Sequence, residues 1–144
     1  MFSLHNKVIV LTGATGALGG SLVLSLTEAK AKIVILGRNQ SLLDALLTKI
    51  SPSTESAAFV VDVLDKKSLE EVKNQIIKQF GHIDILINAV GGNLPGAVIA
   101  DDQSIFDLSV PDFDEVMDLN LKGTVLPSLV FGKSMSEKGK GAIV

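Results

Sequence analysis

The sequence contains no cysteine, no tryptophan and no tyrosine, and aromatic residues make up only 4% of it. Without cysteine the chain can form no disulfide and present no thiolate. A zinc site would have to use both of its histidines, His5 and His82, so metal chemistry is not expected. The absence of tyrosine also removes one of the side chains that can act as a general acid.

Long apolar runs and an excess of positive charge are absent as well. The 144 residues carry 13 Lys and Arg against 16 Asp and Glu, a net charge of −3, which provides no cationic field for a nucleic-acid backbone. No stretch reaches the roughly 18 consecutive apolar residues of a membrane span, and the segment MFSLHNK does not have the pattern of a signal peptide. We therefore expect one cytoplasmic globular domain that has neither nucleic acid nor a membrane as its partner.

Short apolar runs alternate with helical patterns along the whole chain. This alternation predicts an α/β fold, a Rossmann-type doubly wound parallel sheet with helices on both faces. Such sheets bind ligands at the carboxyl ends of their strands, where the strand order reverses. The predicted strands cover residues 8–11, 33–36, 58–61, 83–87 and 142–144, so the sequence stops within the fifth strand.

Four helices are predicted between these strands, and the first, with leucines at four-residue spacing, is expected to be the most fully buried. The last helix begins at a capping box formed by Ser109 and Asp112. Pro127 lacks an N–H group and pushes against the carbonyl of Gly123, so a kink is predicted between these two residues. The predicted helices span about residues 17–29, 41–50, 66–80 and 110–138.

The strongest local signal is the stretch VIVLTGATGALGG, in which an apolar strand leads into a glycine-rich turn and then into a helix. Glycines permit a tight turn and a close approach of the backbone to a ligand. The N-terminus of the helix offers free N–H groups and the positive end of its dipole to an anion. The pattern therefore favours the diphosphate of a dinucleotide over a plain structural turn.

Arg38 follows the second predicted strand, at the place where a carboxylate selective for an unphosphorylated ribose is otherwise expected. A guanidinium group can pair bidentately with a 2′-phosphate. The residue therefore favours NADP(H) over NAD(H), without excluding NAD(H).

Further polar residues lie where a ligand can reach them. Asp62 ends the third strand, where its carboxylate can either accept from an adenine amino group or cap the following turn, and the sequence leaves both interpretations open. Asn120 lies on the apolar stripe of the last helix, where an amide needs partners, and this favours a functional role. The remaining acidic residues of interest are interpreted as solvated or capping carboxylates, namely Asp84, Asp101, Asp102 and Asp118.

The motifs TGATGALG, VDV, DILINA and DLNLKG, in this order, resemble those of the short-chain dehydrogenase/reductase family over nearly the whole chain. NAVGGNLPG and DLNLKGTVLPSLVF are similar to the subgroup of D-mannonate oxidoreductases, or fructuronate reductases. The resemblance implies hydride transfer between NAD(P)(H) and a carbonyl or secondary alcohol, with a sugar acid such as D-mannonate or D-fructuronate as substrate. It implies a catalytic role for Asn120, which would help to hold the water and lysine of a proton relay. The residues that it implies for cofactor binding are Thr12, Gly13, Thr15, Gly16, Ala17, Leu18, Gly19, Arg38, Asp62, Val63, Asn88, Ala89, Val90 and Gly91.

The sequence departs from the family pattern in several places. Ala17 replaces the commoner second glycine, Ala89-Val90 replaces Asn-Ala, and Lys30 stands where a turn glycine is frequent. The family's catalytic Ser and Tyr-x-x-x-Lys follow the fifth strand. Residues 1–144 are therefore interpreted as one NAD(P)-binding domain, incomplete at its C-terminal end and without turnover of its own.

The same incompleteness would leave an apolar stripe of the last helix uncovered, which predicts self-association into a homo-oligomer. Two alternatives to the oxidoreductase stay open. A non-catalytic nucleotide-binding module needs no tyrosine, and a nucleotide-sugar epimerase-like protein shares the glycine pattern, although DILINA and DLNLKG favour the oxidoreductases. The predicted stripe consists of Val116, Leu119, Val125, Leu126, Leu129, Val130 and Phe131.

Overall fold

The computed structural model describes residues 4–144, which form a single five-stranded sheet. Its strands lie in the order β3-β2-β1-β4-β5, and every neighbouring pair is parallel. The chain therefore moves outward from β1 through β2 to β3 and then returns to the other side of β1, which confirms the doubly wound α/β fold. The strands are β1 (Val8–Thr12), β2 (Lys32–Gly37), β3 (Ser56–Val60), β4 (Ile85–Asn88) and β5 (Ala142–Ile143).

Helices cover both faces of this sheet. Alternate residues of β1 point to opposite faces, so that Val8 and Val10 belong to one apolar cluster and Ile9 and Leu11 to the other. The first cluster is completed by α3 and α5, and the second by α1 and α2. None of the helices among the described residues is long and apolar enough to cross a membrane. The helices are α1 (Gly19–Glu28), α2 (Gln40–Leu47), α3 (Lys66–Phe80), α4 (Val110–Met117) and α5 (Gly123–Lys138).

The first helix is less buried than its leucines predict. Gly19 and Val23 are its only fully buried residues, and Leu22 and Leu24 are each more than one-third exposed. Because an α-helix turns once in about 3.6 residues, only one narrow stripe of a helix lying on a sheet is covered, and these leucines flank that stripe.

The predicted capping box at the last helix is only half formed. The Ser109 hydroxyl accepts from the N–H of Asp112 at 3.4 Å, as predicted. The Asp112 carboxylate accepts instead from the N–H of Gly96 at 3.1 Å, and the N–H of Ser109 donates to the Gly96 carbonyl at 2.8 Å. The connection between β4 and α4 folds back onto the start of the helix. Its residue Gly96 therefore binds the Asp112 carboxylate and the Ser109 N–H, which would bind each other in a capping box.

The predicted long helix is interrupted one turn before Pro127. Residues Asp118–Lys122 form a π-helical turn between α4 and α5, whereas α5 continues through Pro127. The Nδ2 atom of Asn120 donates to the Val116 carbonyl at 2.8 Å. In an α-helix this carbonyl would accept the backbone N–H of residue 120, so the side chain competes for it and the turn widens. The long helix is thus interrupted at Asp118–Lys122, a position that the sequence did not indicate, and the kink between Gly123 and Pro127 stays a prediction.

The interpretation of Asp84 as a solvated or capping residue is wrong. Asp84 is only 5% exposed, and its carboxylate contacts Lys138 at 2.8 Å, His82 at 3.0 Å and Lys7 at 3.6 Å. It also accepts from the N–H of Val8 at 3.0 Å. Burial alone would raise the pKa of Asp84. The hydrogen bonds from Lys138 and Val8 and the charge of His82 together outweigh this effect, so the pKa lies below its ordinary value.

Candidate functional site

The carboxyl ends of the first four strands surround a cavity of about 170 Å³. This is the edge where strand order reverses, as the fold class predicts. The structure brings together nine of the predicted cofactor-binding residues in its wall. These are Gly13, Thr15, Gly16, Arg38, Asp62, Val63, Ala89, Val90 and Gly91.

Four residues in the same wall were not predicted from the sequence. Leu36 and Gly37 end β2, and Val61 follows β3, so their position at a strand end could have indicated them. Leu119 comes from the π turn, and no local pattern in the sequence indicated that its side chain reaches this cavity.

The other predicted residues lie outside the cavity wall. Thr12 is fully buried, where its hydroxyl donates to the Ile87 carbonyl at 3.5 Å and accepts from the N–H of Ala89 at 3.2 Å. Its hydroxyl therefore ties β1 to the loop after β4. Leu18, by contrast, is 76% exposed immediately before α1. The remaining residues outside the wall are Ala17, Gly19, Asn88 and Asn120.

The glycines of the first turn make room chiefly for protein backbone. Gly13 has φ +65°, and a side chain there would collide with the carbonyl of Ala89. A side chain at Gly19 would collide with the carbonyl groups of Gly13 and Ala14. These two glycines allow the loops after β1 and β4 to lie against each other and allow α1 to begin directly under the turn.

The same turn has the donors that a diphosphate requires. Among the described residues, no hydrogen bond is formed by the backbone N–H groups of Thr15, Ala17 and Leu18. They lie in the turn that leads into the ten-residue helix α1, whose N-cap is Leu18 and whose dipole adds positive potential. The donor set therefore fits the diphosphate of a dinucleotide.

Arg38 lies in the cavity wall, directly after β2. Among residues 4–144 no ion pair involves its guanidinium group. The adjacent helix α2 begins at Asn39, whose side chain accepts from the N–H of Leu42 at 3.1 Å. The charge of Arg38 is thus available to an anionic ligand at this end of the cavity.

The structure contains one of the two roles that the sequence left open for Asp62, and its contact with an adenine stays a prediction. Its Oδ1 atom accepts from the N–H of Leu64 at 2.9 Å and so caps the turn after β3. The residue also lines the cavity. Because a carboxylate has two oxygens, capping the turn leaves acceptor capacity for a ligand amino group.

Asn120 fastens the loop after β4 to the π turn. Its Oδ1 atom accepts from the N–H of Gly92 at 3.1 Å, and its Nδ2 atom donates to the carbonyl of Gly92 at 2.8 Å. With the bond to Val116, the side-chain amide has both oxygen and nitrogen engaged. The backbone carbonyl of Asn120 accepts from the Thr124 hydroxyl at 3.0 Å. The side chain therefore positions the loop that forms one wall of the cavity.

Asn88 ends β4 and faces α5. Its Nδ2 atom donates to the Ser128 hydroxyl at 3.2 Å and to the Val144 carbonyl at 3.4 Å. Its Oδ1 atom is buried and has no partner among the described residues. Asn88 therefore contributes to the contact between β4, β5 and α5 rather than to the cavity wall.

A larger open hollow of about 520 Å³ lies at the opposite edge of the sheet. Thr27, Lys30 and Ser51 are among its lining residues, and its wall includes the ion pair between Lys32 and Glu55, 2.6 Å apart. None of the predicted site residues lies in this wall, and strand order does not favour this edge for binding.

The family model for short chain dehydrogenases matches residues 7–144. The chain belongs to this family. An uncharacterized oxidoreductase of Haemophilus influenzae is 36% identical over 153 aligned residues, which cover 99% of this chain and 54% of the relative. An NAD-dependent glycerol dehydrogenase of Listeria innocua is 33% identical, and the alignment covers 99% of this chain and 53% of the relative.

The solved structures include a Haemophilus influenza protein with bound NAD, provisionally assigned as a D-mannonate oxidoreductase. It is 35% identical, with a TM-score of 0.82 over 92% of this chain and 51% of that one. The chain thus spans about half the length of the curated relatives that it matches. The similarity supports an oxidoreductase family that uses a dinucleotide cofactor.

Proposed function

We propose that this chain binds NADP(H), and NAD(H) more weakly, as the cofactor-binding part of an oxidoreductase. The observation that carries the proposal is the cavity at the strand-order reversal, which joins the glycine turn, Arg38 and Asp62 in one wall. The unpaired N–H groups at the start of α1 would hold the diphosphate. Arg38 would pair with the 2′-phosphate, and Asp62 with Val63 would hold the adenine.

The nicotinamide end would lie toward α1 and the loop after β4. Leu18, exposed before α1, would pack against this half of the cofactor, and the backbone from Asn88 to Gly91 would lie beside a ribose. The Asn120 amide supports this placement, because its two hydrogen bonds to Gly92 hold the loop directly after Gly91. Asn120 would act here as a positioning residue for the cofactor loop.

The reaction that we propose for the protein is reduction of a carbonyl group or oxidation of a secondary alcohol. The bound nicotinamide would supply or accept the hydride. A sugar acid such as D-fructuronate or D-mannonate is the proposed substrate class, supported by the similarity to the provisionally assigned D-mannonate oxidoreductase. The oxidoreductase relatives favour this function over an epimerase. Because the chain has no tyrosine, we propose that these 144 residues bind the cofactor without turnover.

Titration of the chain with NADPH and NADH tests the proposal. Binding is followed by the fluorescence of the reduced nicotinamide, which is excited at wavelengths where protein side chains do not absorb. Arg38→Ala should weaken NADPH binding by about 1.5 to 3 kcal/mol, the value of a charge-assisted contact, and leave NADH binding nearly unchanged.

Arg38→Lys is the matched control, because it keeps the charge but loses the planar fork, and it should show an intermediate loss for NADPH. Equal losses for both cofactors in Arg38→Ala would exclude a 2′-phosphate contact. If the unaltered chain binds neither cofactor, the proposed function itself is wrong.

We also propose that the chain associates with a second copy through the outer face of α4, the π turn and α5. This face differs from the predicted stripe, because Val130 and Phe131 are buried in the core and Val116, Leu119 and Leu126 are half-buried. The outer face consists of Val110, Phe113, Met117, Leu121, Val125 and Leu129, which are between 43% and 62% exposed.

A further inference from the structure

The open hollow of about 520 Å³ at the other edge of the sheet is not used by the proposed function. It is bounded by the end of α1, the start of β2 and the segment before β3. Two of its wall residues, Glu28 and Lys30, are placed where the local structure disfavours them. Residues of this kind cluster at functional sites, so the hollow is a candidate for a second site.

Lys30 has a backbone conformation that favours glycine. Its φ angle is +64°, and it follows the end of α1 by two residues. The helices α3 and α5 also end at residues with a positive φ angle, and in both cases the residue is a glycine, Gly81 with +85° and Gly139 with +71°. A lysine in this conformation lowers stability relative to glycine. The side chain of Lys30 is therefore the feature that needs an explanation.

Glu28 is the last residue of α1, where the dipole of the helix is negative. The last turns of α3 and α5 carry Lys78 and Lys138, whereas the last turn of α1 contains no basic residue. A carboxylate at this end is repelled by the unpaired carbonyl groups of the helix. A second disfavoured charge thus lies two positions from Lys30.

The charges of Glu28 and Lys30 are both available to a ligand. Within the part of the chain that the structure describes, neither residue takes part in an ion pair. The other lysine and glutamate of the wall, Lys32 and Glu55, pair with each other at 2.6 Å. The hollow therefore presents one positive and one negative charge that no protein group neutralises.

We propose that this hollow binds a small zwitterion of the class of free α-amino acids, with its ammonium group at Glu28 and its carboxylate at Lys30. A simple anion is repelled by Glu28 and a simple cation by Lys30, so only a ligand with both charges gains from both residues. The side chains of Asn6 and Thr54 line the same hollow and add an amide and a hydroxyl group for hydrogen bonds. The inference is independent of the proposed function, because the two cavities share no residue.

Titration with L-serine, followed by NMR shifts of the backbone amide groups, tests the proposal. L-Serine should shift the amides of Asn6 and Lys30 to saturation and leave the amide of Gly16, in the cofactor cavity, unchanged. L-Glutamine has the same two charges and should saturate the same amides. L-Glycerate, which has a hydroxyl in place of the ammonium group, and ethanolamine, which lacks the carboxylate, should each bind about tenfold more weakly than L-serine.

Two substitutions of Lys30 separate ligand binding from stability. Lys30→Gly should raise the midpoint of urea unfolding, because glycine adopts the positive φ angle without strain, and should weaken L-serine binding about tenfold. Lys30→Ala should lose the same binding and keep the midpoint of the unaltered chain. Lys78→Ala, which removes a lysine from the end of α3 outside the hollow, is the matched control and should leave L-serine binding unchanged.

Glu28→Gln tests the other charge. It should weaken L-serine binding and strengthen L-glycerate binding, because the repulsion of the anion is removed. Unchanged L-serine binding in Lys30→Gly or Glu28→Gln overturns the inference, as does equal binding of L-serine and L-glycerate by the unaltered chain. If neither amino acid saturates the amides of the hollow, the inference is also wrong, whereas the proposed function is judged separately by NADPH binding.

Discussion

At the scale of single residues, one carboxylate holds three distant parts of the chain together. Asp84 precedes β4, and its partners come from the start of β1, from His82 and from Lys138 at the end of α5. Lys138 is 54 residues away in sequence. A carboxylate shielded from water is stable only when such donors surround it, so the residue acts in folding rather than in chemistry.

Replacement of Asp84 by Asn should lower the free energy of unfolding by about 1.5 to 3 kcal/mol at pH 7, because hydrogen bonds to a buried charge are lost. The folded-state pKa of Asp84 is lowered, so its contribution is complete above the unfolded pKa of about 3.9 and is lost as the pH falls through the folded value. Urea unfolding at several pH values should show the two proteins becoming more alike below about pH 4.

Asp101→Asn is the control for this experiment, since Asp101 is exposed and forms no ion pair among the described residues. It should leave stability unchanged. A stability difference between the Asp84 variant and the unaltered chain that stays constant from neutral pH to pH 2 would contradict a charge-dependent role.

At the scale of elements, the π turn connects the cofactor cavity to the long helix. It brings Leu119 to the cavity and Asn120 to the loop after β4 in consecutive positions. A regular α-helix separates consecutive side chains by about 100°, and the wider turn lets both reach the same loop region. The helical element that departs from regular geometry therefore contributes directly to the wall of the proposed binding site.

Asn120→Ala should release this loop. Loss of the two bonds to Gly92 should make the amide hydrogen of Gly92 exchange faster with solvent and lower the free energy of unfolding by about 1 to 2 kcal/mol. Hydrogen exchange followed by NMR measures the first effect and urea unfolding the second. Gly139, a helix-terminal glycine outside the site, should keep its exchange rate. Unchanged exchange at Gly92 would show that Asn120 does not hold the loop.

At the scale of the whole molecule, the outer face leaves a line of apolar side chains exposed on one side of the protein. Leu121 and Leu129 are 56% and 60% exposed, although the helices that carry them are packed on the sheet by their opposite face. An exposed apolar stripe of this length favours association, because burial removes apolar surface from water.

Sedimentation velocity over a range of concentrations should therefore show a reversible dimer. The double variant Leu121→Lys, Leu129→Lys should be monomeric, because burying two charged side chains in an apolar contact is costly. Leu42→Lys changes a residue that is 52% exposed on α2 and should leave the dimer intact. If the unaltered chain remains monomeric at the highest concentration, the proposed interface is wrong.

The sequence by itself determined the order of the elements and the edge of the sheet at which the cavity lies. Apolar runs, glycines and caps act on neighbouring residues, so the strand into TGATGALG and the N-cap at Asp65 could be predicted locally. The positions of Arg38 and Asp62 in the cavity wall followed from their places at strand ends, since parallel strands end at one edge.

Only the tertiary structure decided which side chains meet across long separations in the chain. Asp84 is held by Lys138, Asp112 turns to Gly96 instead of completing its box, and Leu119 reaches the cavity. In each case the residue meets a distant segment of the chain, and this long-range contact takes the place of a contact with neighbouring residues. Hydrogen bonding and packing between segments depend on how they are folded together, and a pattern of neighbouring residues contains no information about that arrangement.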